Sequence, residues 1–180
     1  LREDILDEVR RHLVGHPERR FKLVANLPYN VATPIVSNLL ACQPLPDRMV
    51  VTIQKELADR IVARPSTKDY SALSIWIQSQ CDCRIVRYMP PSVFWPRPKV
   101  DSAIIELIHN PQLRSRIVEL DFFHQKVRAL FFHRRKFLRS QLAIAFQEEL
   151  DKSQIDLLLD EQLLEPQARA EQLSVEQILK

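Results

Sequence analysis

Apolar residues recur every three or four positions over residues 2–14 (Ile5, Leu6, Val9, Leu13) with charges between them, a spacing that predicts a helix. His16-Pro17 ends it. Residues 21–25 form a short apolar run, read as a buried strand, and the run breaks off in Asn26-Leu27-Pro28-Tyr29-Asn30. Pro28 forbids continuation of the strand and pushes Leu27 into an extended conformation. Thr33-Pro34 predicts a helix start with Thr33 as N-cap and Pro34 at the first helical position. That helix carries Ile35, Val36, Leu39 and Leu40, and Pro44 and Pro46 close it. A second strand is predicted over 48–53. Gln54-Lys55-Glu56 leads from it into a helix with Leu57, Ile61 and Val62. Residues 71–80 have helical spacing, 83–89 alternate like a strand, 90–98 are a Pro-rich loop with Phe94 and Trp95, and 102–108 make a further strand.

The resulting order is strand, helix, strand, helix, helix, strand, loop, strand. It predicts an α/β fold, the carboxy-terminal half of a doubly wound sheet. The last two strands are joined without a helix, so they can pair antiparallel. A mostly parallel sheet that ends this way is typical of class I (Rossmann-like) methyltransferases. Asn110-Pro111 marks a boundary, which divides the chain into units 1–111 and 112–180. The second unit reads as a small all-helical domain with helices over 121–146, 153–159 and 174–180. Its expected core is Phe122, Phe123, Val127, Leu130, Phe131, Leu138 and Leu142.

Composition narrows the chemistry. The 180 residues hold a single glycine, Gly15, so no Gly-rich nucleotide loop can be written from this chain. The chain opens on Leu1 just ahead of Asp4-Ile5-Leu6, and reads as a fragment lacking an amino-terminal part. No apolar run reaches membrane-spanning length, and no signal peptide stands at the start. Three cysteines, Cys42, Cys81 and Cys83, suggest free thiols in a reducing, cytoplasmic compartment. Cys81-x-Cys83 lies in a strand and reads as packing. His124 and His133 lack a third ligand, so no metal site is expected. The formal net charge is +3, but unevenly spread: residues 112–147 hold eight Lys/Arg against two Asp/Glu, and 148–180 hold three against nine. A polyanion-facing surface with an acidic flank is the expectation.

The turn after the first strand has a chemistry of its own. Open α/β sheets bind ligands beyond the carboxyl ends of their strands. Here the turn offers the Asn26 amide, the Leu27 or Pro28 carbonyl, and the face of Tyr29. Two acceptors can hold the two hydrogens of an exocyclic base amine, and an aromatic face can stack on the base. Taken alone, the four residues also read as a plain strand-ending turn.

Five separated stretches then match one family. They are Asn26-Leu27-Pro28-Tyr29-Asn30, Gln54-Lys55-Glu56, Pro91-Ser92-Val93-Phe94-x-Pro96-x-Pro98-Lys99-Val100-Asp101-Ser102, Arg134-Arg135-Lys136-x-x-Arg139, and Arg169-Ala170-Glu171-x-Leu173-Ser174. The chain resembles the ribosomal RNA adenine N6,N6-dimethyltransferases, whose relatives include the erythromycin-resistance methylases and mitochondrial transcription factor B. The resemblance runs from Asp4 to the end. The proline-rich stretch is its most specific part, and the last two stretches favour the small-subunit branch. Two departures stand out: the family's amino-terminal Gly-rich motif is missing, and Ser71 stands where the family has Gly.

The resemblance implies S-adenosyl-L-methionine as cofactor and small-subunit rRNA in a pre-ribosomal particle as partner. It implies that Asn26 and the carbonyl before Tyr29 hold the target amine, with Leu27 and Pro28 shaping the turn and Tyr29 and Phe94 sandwiching a flipped base. Trp95 reads equally as a stacking or a packing residue. Asp4 stands where the family's Asp-x-Leu acid holds the adenine amine of the cofactor, with Asn26 beside it. Asp4 also reads as a helix N-cap, and Asp7 competes for the same role. Arg134, Arg135, Lys136 and Arg139, with Lys126 and Arg128 nearby, read as rRNA phosphate contacts. Lys99 contacts RNA or caps its loop. The rival reading is a non-catalytic rRNA-binding ribosome-assembly factor. A further expectation is that this chain alone transfers no methyl group and exposes an apolar sheet edge that favours dimerisation.

Overall fold

A computed structural model of the chain describes residues 3–180. The elements, in chain order, are α1 (Glu3–Leu13), β1 (Lys22–Asn26), α2 (Ala32–Ala41), β2 (Arg48–Gln54), α3 (Lys55–Ile61), α4 (Ala72–Gln78), β3 (Cys81–Met89) and β4 (Ser102–His109). Helices α5 (Pro111–Arg114), α6 (Leu120–Phe132), α7 (Leu138–Ala145), α8 (Lys152–Glu161) and α9 (Val175–Ile178) follow. The expected helix start at Arg2 lies outside the described residues.

The strands form one sheet of order β1-β2-β4-β3. β1 and β2 are parallel, whereas β4 runs antiparallel to both β2 and β3. The expected antiparallel strand is therefore inserted between β2 and β3. A loop return without a helix suits antiparallel pairing. β4, flanked on both sides, is the most buried strand, and β1 is an edge strand among the described residues. Val24 on β1 is 78% exposed, on the sheet face opposite to that of Leu23 and Ala25.

One face of the sheet packs Met49, Val51, Ile53, Ala103, Ile105 and Leu107 against Val36, Leu39 and Leu40 of α2, Leu57 and Ile61 of α3, and Trp76 and Ile77 of α4. Burying each large aliphatic side chain contributes about 1.5–3 kcal/mol, so this layer dominates the stability of the sheet. A second cluster joins Val127, Leu130 and Phe131 of α6 to Leu138 and Leu142 of α7 and Ile155 and Leu159 of α8. It also takes in Ala63, Tyr70 and Ile75 from before the Asn110-Pro111 boundary. Phe123 packs against both clusters, and Trp76 beside it stacks on His124 with ring centroids 4.1 Å apart.

Three local expectations need correction. α2 begins at Ala32 with Val31 as N-cap and no side-chain cap, so Thr33 and Pro34 are its second and third residues. Pro34 is tolerated there because the first-turn N–H groups have no intrahelical acceptor anyway. The single helix expected over 121–146 is two, α6 and α7, with a break at 133–137. Phe131 and Leu138 both enter the core, and the chain must turn between them to bring α6 and α7 face to face. Phe122 lies on the outer side of α6, 41% exposed, and not in the core. Ser71 stands at the start of α4 as its N-cap: its extended backbone suits any residue, and its N–H donates to the Ser74 hydroxyl at 3.0 Å.

Candidate nucleic-acid and base-binding site

β1 ends at Asn26, and the next residues alternate in and out. Leu27 is buried in the sheet core, and its N–H donates to the Thr52 carbonyl at 3.1 Å. Asn26 and Pro28 are thereby turned outward and exposed. The Pro28 carbonyl accepts from Val31 N–H at 3.1 Å as the chain turns into α2. That bond uses one of the two lone pairs on the oxygen and leaves one for a further donor. Tyr29 is half-buried, and its phenol shares a 2.6 Å hydrogen bond with the buried Ser102 hydroxyl at the start of β4.

The proline-rich loop crosses in front of this turn. Pro91, Ser92 and Val93 form one turn of 3-10 helix, closed by Phe94 N–H on the Pro91 carbonyl at 3.2 Å. Phe94 is half-buried and Trp95 is 97% exposed, which decides against a packing role for Trp95. Asn26, Leu27, Pro28 and Tyr29 face Phe94, Trp95, Pro96 and Pro98 across a cleft of about 350 Å³. Two stretches 65 residues apart in the chain thus meet as an amide, a carbonyl and three aromatic rings.

Lys55 and its neighbours form a paired polar group. Lys55 N–H donates to the Asp101 carbonyl at 2.9 Å, which ties the Gln54-Lys55-Glu56 stretch to the end of the proline-rich stretch. The Lys55 ammonium lies 2.6 Å from Asp59, and the Tyr88 phenol donates to the same carboxylate at 2.7 Å. Burial pushes the Asp59 carboxyl up, but these two hydrogen bonds outweigh it, and its pKa lies below the ordinary value. Sequence reading singled out Lys55 only as part of a motif and missed Asp59 and Tyr88. The i,i+4 spacing of Asp59 from Lys55 was the one signal available.

Asp4 sits in the first turn of α1, exposed, with Ile5 N–H donating to its Oδ1 at 3.0 Å. It does not line the cleft that holds Asn26. Gly15 lies in a turn at the end of α1 with φ of +76° and no neighbour within 4 Å, so it forms no cradle.

The basic cluster divides. Arg134 is engaged inward, donating to the Tyr70 carbonyl at 3.0 Å and the Lys68 carbonyl at 3.3 Å and pairing with Glu171 at 3.1 Å. Arg139 forms a two-pronged pair with Asp156 at 2.5 and 2.7 Å. Lys126 is held by Glu149 and the Ala145 carbonyl. Arg135 and Lys136 lie in the break between α6 and α7, exposed and with no ion pair among the described residues. Lys99 and Arg128 are likewise exposed. Among the described residues no group of three or more His, Cys, Asp or Glu could hold a metal ion. No helix there is long and apolar enough to cross a membrane.

A family model described as "Ribosomal RNA adenine dimethylase" matches residues 2–180. The chain belongs to the ribosomal RNA adenine dimethylase family. It is 37% identical over 179 residues to a ribosomal RNA small subunit methyltransferase A of Halothermothrix orenii, covering 98% of this chain and 60% of that protein. With the protein of the same name from a Geobacillus species it is 45% identical over 157 residues, covering 86% of this chain and 54% of the relative. The chain thus spans about 60% of the length of such dimethylases. Among solved structures, a dimethyladenosine transferase from Plasmodium falciparum superposes with a TM-score of 0.76 at 22% identity, over 99% of this chain and 77% of that one. The 23S rRNA methyltransferase ErmE superposes with a TM-score of 0.63 at 21% identity, over 98% and 75%. The sheet order and its inserted antiparallel strand are therefore those of the methyltransferase fold.

Proposed function

We propose that this chain is the base-presenting and RNA-binding part of an S-adenosyl-L-methionine-dependent rRNA adenine N6,N6-dimethyltransferase acting on small-subunit rRNA in the cytoplasm. The observation that carries the reading is the cleft in which Asn26, the Pro28 carbonyl, Tyr29 and Phe94 converge. Adenine N6 is a poor nucleophile because its lone pair is delocalised into the ring. The Asn26 side-chain oxygen and the free lone pair of the Pro28 carbonyl accept the two amine hydrogens. Fixing both hydrogens turns the nitrogen lone pair out of conjugation and aims it. The gain is positional and electrostatic, and no strong base is needed. A stacked adenine is out of reach, so the base is flipped into the cleft between Tyr29 and Phe94. Base–aromatic stacking at about 1–3 kcal/mol per base offsets the cost of unstacking.

S-adenosyl-L-methionine supplies an electrophilic sulfonium methyl group when bound. Of this chain's residues Asn26 and Asp4 would hold it, and with a single glycine the chain has no Gly-rich loop to complete the site. No methyl transfer is expected from this chain alone. Arg135 and Lys136, with Lys99 and Arg128, are exposed cations that meet rRNA phosphates, and residues 112–180 are the RNA-facing unit. The open edge of β1 is a pairing surface through which isolated chains self-associate.

Labelled-methyl transfer to unmethylated small ribosomal subunits tests the reading, with an amino-terminally extended protein, its Asn26→Ala variant and this chain side by side. Transfer by the extended protein alone supports it. Tight rRNA binding with no transfer by any of the three overturns it in favour of a non-catalytic assembly factor.

A further inference from the structure

Trp95 is the most exposed large apolar side chain of the cleft, and the described contacts give it no intramolecular purpose. An indole ordinarily buries about 150–250 Å² of surface, and here 97% of the residue is left in water. Its backbone is nevertheless well fixed. Phe94 on one side is half-buried, Pro96 and Pro98 on the other lock φ, and the turn at residues 91–93 closes behind it. A rigid loop holds a large flat ring out at the rim of the cleft that contains Asn26 and Tyr29.

The same loop carries Arg97 and Lys99, both exposed and neither ion-paired among the described residues. Asp101 is the sole acid between residues 90 and 105, and its backbone carbonyl is tied to Lys55 N–H. Trp95-x-Arg97-x-Lys99 thus alternates a stacking face with cations. This is the pattern by which single-stranded nucleic acid is held: bases on rings, phosphates on cations.

Flipping a base leaves its neighbour with one naked π-face. We propose that Trp95 is the stacking platform for the nucleotide adjoining the flipped base, with Arg97 and Lys99 meeting its phosphates. The proposal rests on the reading of the cleft as an RNA adenine site, and adds a second base position to it. It assigns Trp95 to substrate positioning: the platform compensates the strand for its broken stack and holds it in register with the cleft.

The chain contains two tryptophans, and they are optically separable. Trp76 is 1% exposed and stacked on His124, whereas Trp95 faces water. The test titrates the chain with a single-stranded, adenosine-containing RNA oligonucleotide and, in parallel, with a fully paired RNA duplex. Anisotropy of the labelled RNA reads affinity. Tryptophan emission with unlabelled RNA, and its accessibility to iodide, read Trp95. We expect the single strand to quench the iodide-accessible emission. Trp95→Ala abolishes the quench and weakens single-strand binding about tenfold, while duplex binding is unchanged. Trp95→Phe restores part of the affinity, and Arg97→Ala/Lys99→Ala flattens the salt dependence but keeps the quench. Single-strand binding with unaltered Trp95 emission and equal affinity in Trp95→Ala overturns the proposal and leaves the RNA reading standing. An equal loss for single strand and duplex overturns it as well. Absence of binding to either RNA by the parent chain overturns the RNA reading itself, and this proposal with it.

Discussion

The Tyr29 phenol and the Ser102 hydroxyl, 73 residues apart, share a 2.6 Å hydrogen bond that joins the turn after β1 to the first residue of β4. Ser102 is fully buried, so its hydroxyl depends on this partner, and Tyr29 is held by both ring packing and the bond. Ser102→Ala and Tyr29→Phe should each lower stability by about 1 kcal/mol, read by urea denaturation. Because they delete the same bond, the double variant should cost clearly less than the sum of the two. Additive losses would mean that the contact carries no energy.

Arg134 and its neighbours should separate into structure and binding. Arg134→Ala strips the carbonyls of Lys68 and Tyr70 of their shared donor, at a cost of about 1–2 kcal/mol in stability. Arg135→Ala/Lys136→Ala should leave stability within about 0.5 kcal/mol of the parent. That double variant should also lower the slope of log affinity against log salt for single-stranded RNA by about 1.4. Thermal melting and salt titrations on the same preparations decide both.

Glu106 on β4 is buried, with Arg84 at 2.5 Å and Arg48 at 3.5 Å as its partners. Both arginines are more than a third exposed, so solvent screens the pairs and their own worth is small. Removing both cations strands a buried carboxylate, which is the costly event. Arg84→Ala/Arg48→Ala should therefore destabilise more than Glu106→Gln, and thermal midpoints of the three proteins give the order directly.

His124 stacks on Trp76, and burial, followed by the nearby Arg128 charge, lowers its pKa from the ordinary 6.5. Asp121 opposes the shift less strongly. In the unfolded chain His124 takes up its proton at higher pH than in the folded one. The folded state is thus favoured above about pH 6.5 and loses that advantage as pH falls through the depressed value. Stability should decline on acidification from pH 7 to 5, and His124→Gln should flatten that decline. Emission of Trp76 in the Trp95→Phe background reports it site-specifically.

Much of this molecule was legible in its residues. Hydrophobic period and proline punctuation located the four strands seen among the described residues, because a run such as Met49-Val50-Val51-Thr52-Ile53 is short for a helix and rich in β-branched residues. The turn at Asn26-Leu27-Pro28-Tyr29 was legible because Pro28 is a covalent constraint, independent of the rest of the fold. The family resemblance rested on such local motifs and was recoverable without coordinates.

Other features depend on what comes close in space. A run of cations looks the same in sequence whether it faces solvent or its own backbone. Only packing of α6 and α7 onto the segment around Tyr70 turned Arg134 inward, set Arg139 against Asp156, and left Arg135 and Lys136 free to bind. The break at 133–137 was hidden for the same reason: helical period continues through it, and only the pairing of Phe131 with Leu138 in one core demands the turn. Phe94 and Trp95 are adjacent aromatics with equal claims to burial, and it was the placing of their loop across from the Asn26 turn that left one half-buried and the other in water. By itself the sequence determined the elements, the chemistry on offer and the family. Which of those groups are spent on the fold and which remain for a ligand was decided by tertiary contacts, because each side chain's hydrogen bonds and surface can be satisfied only once.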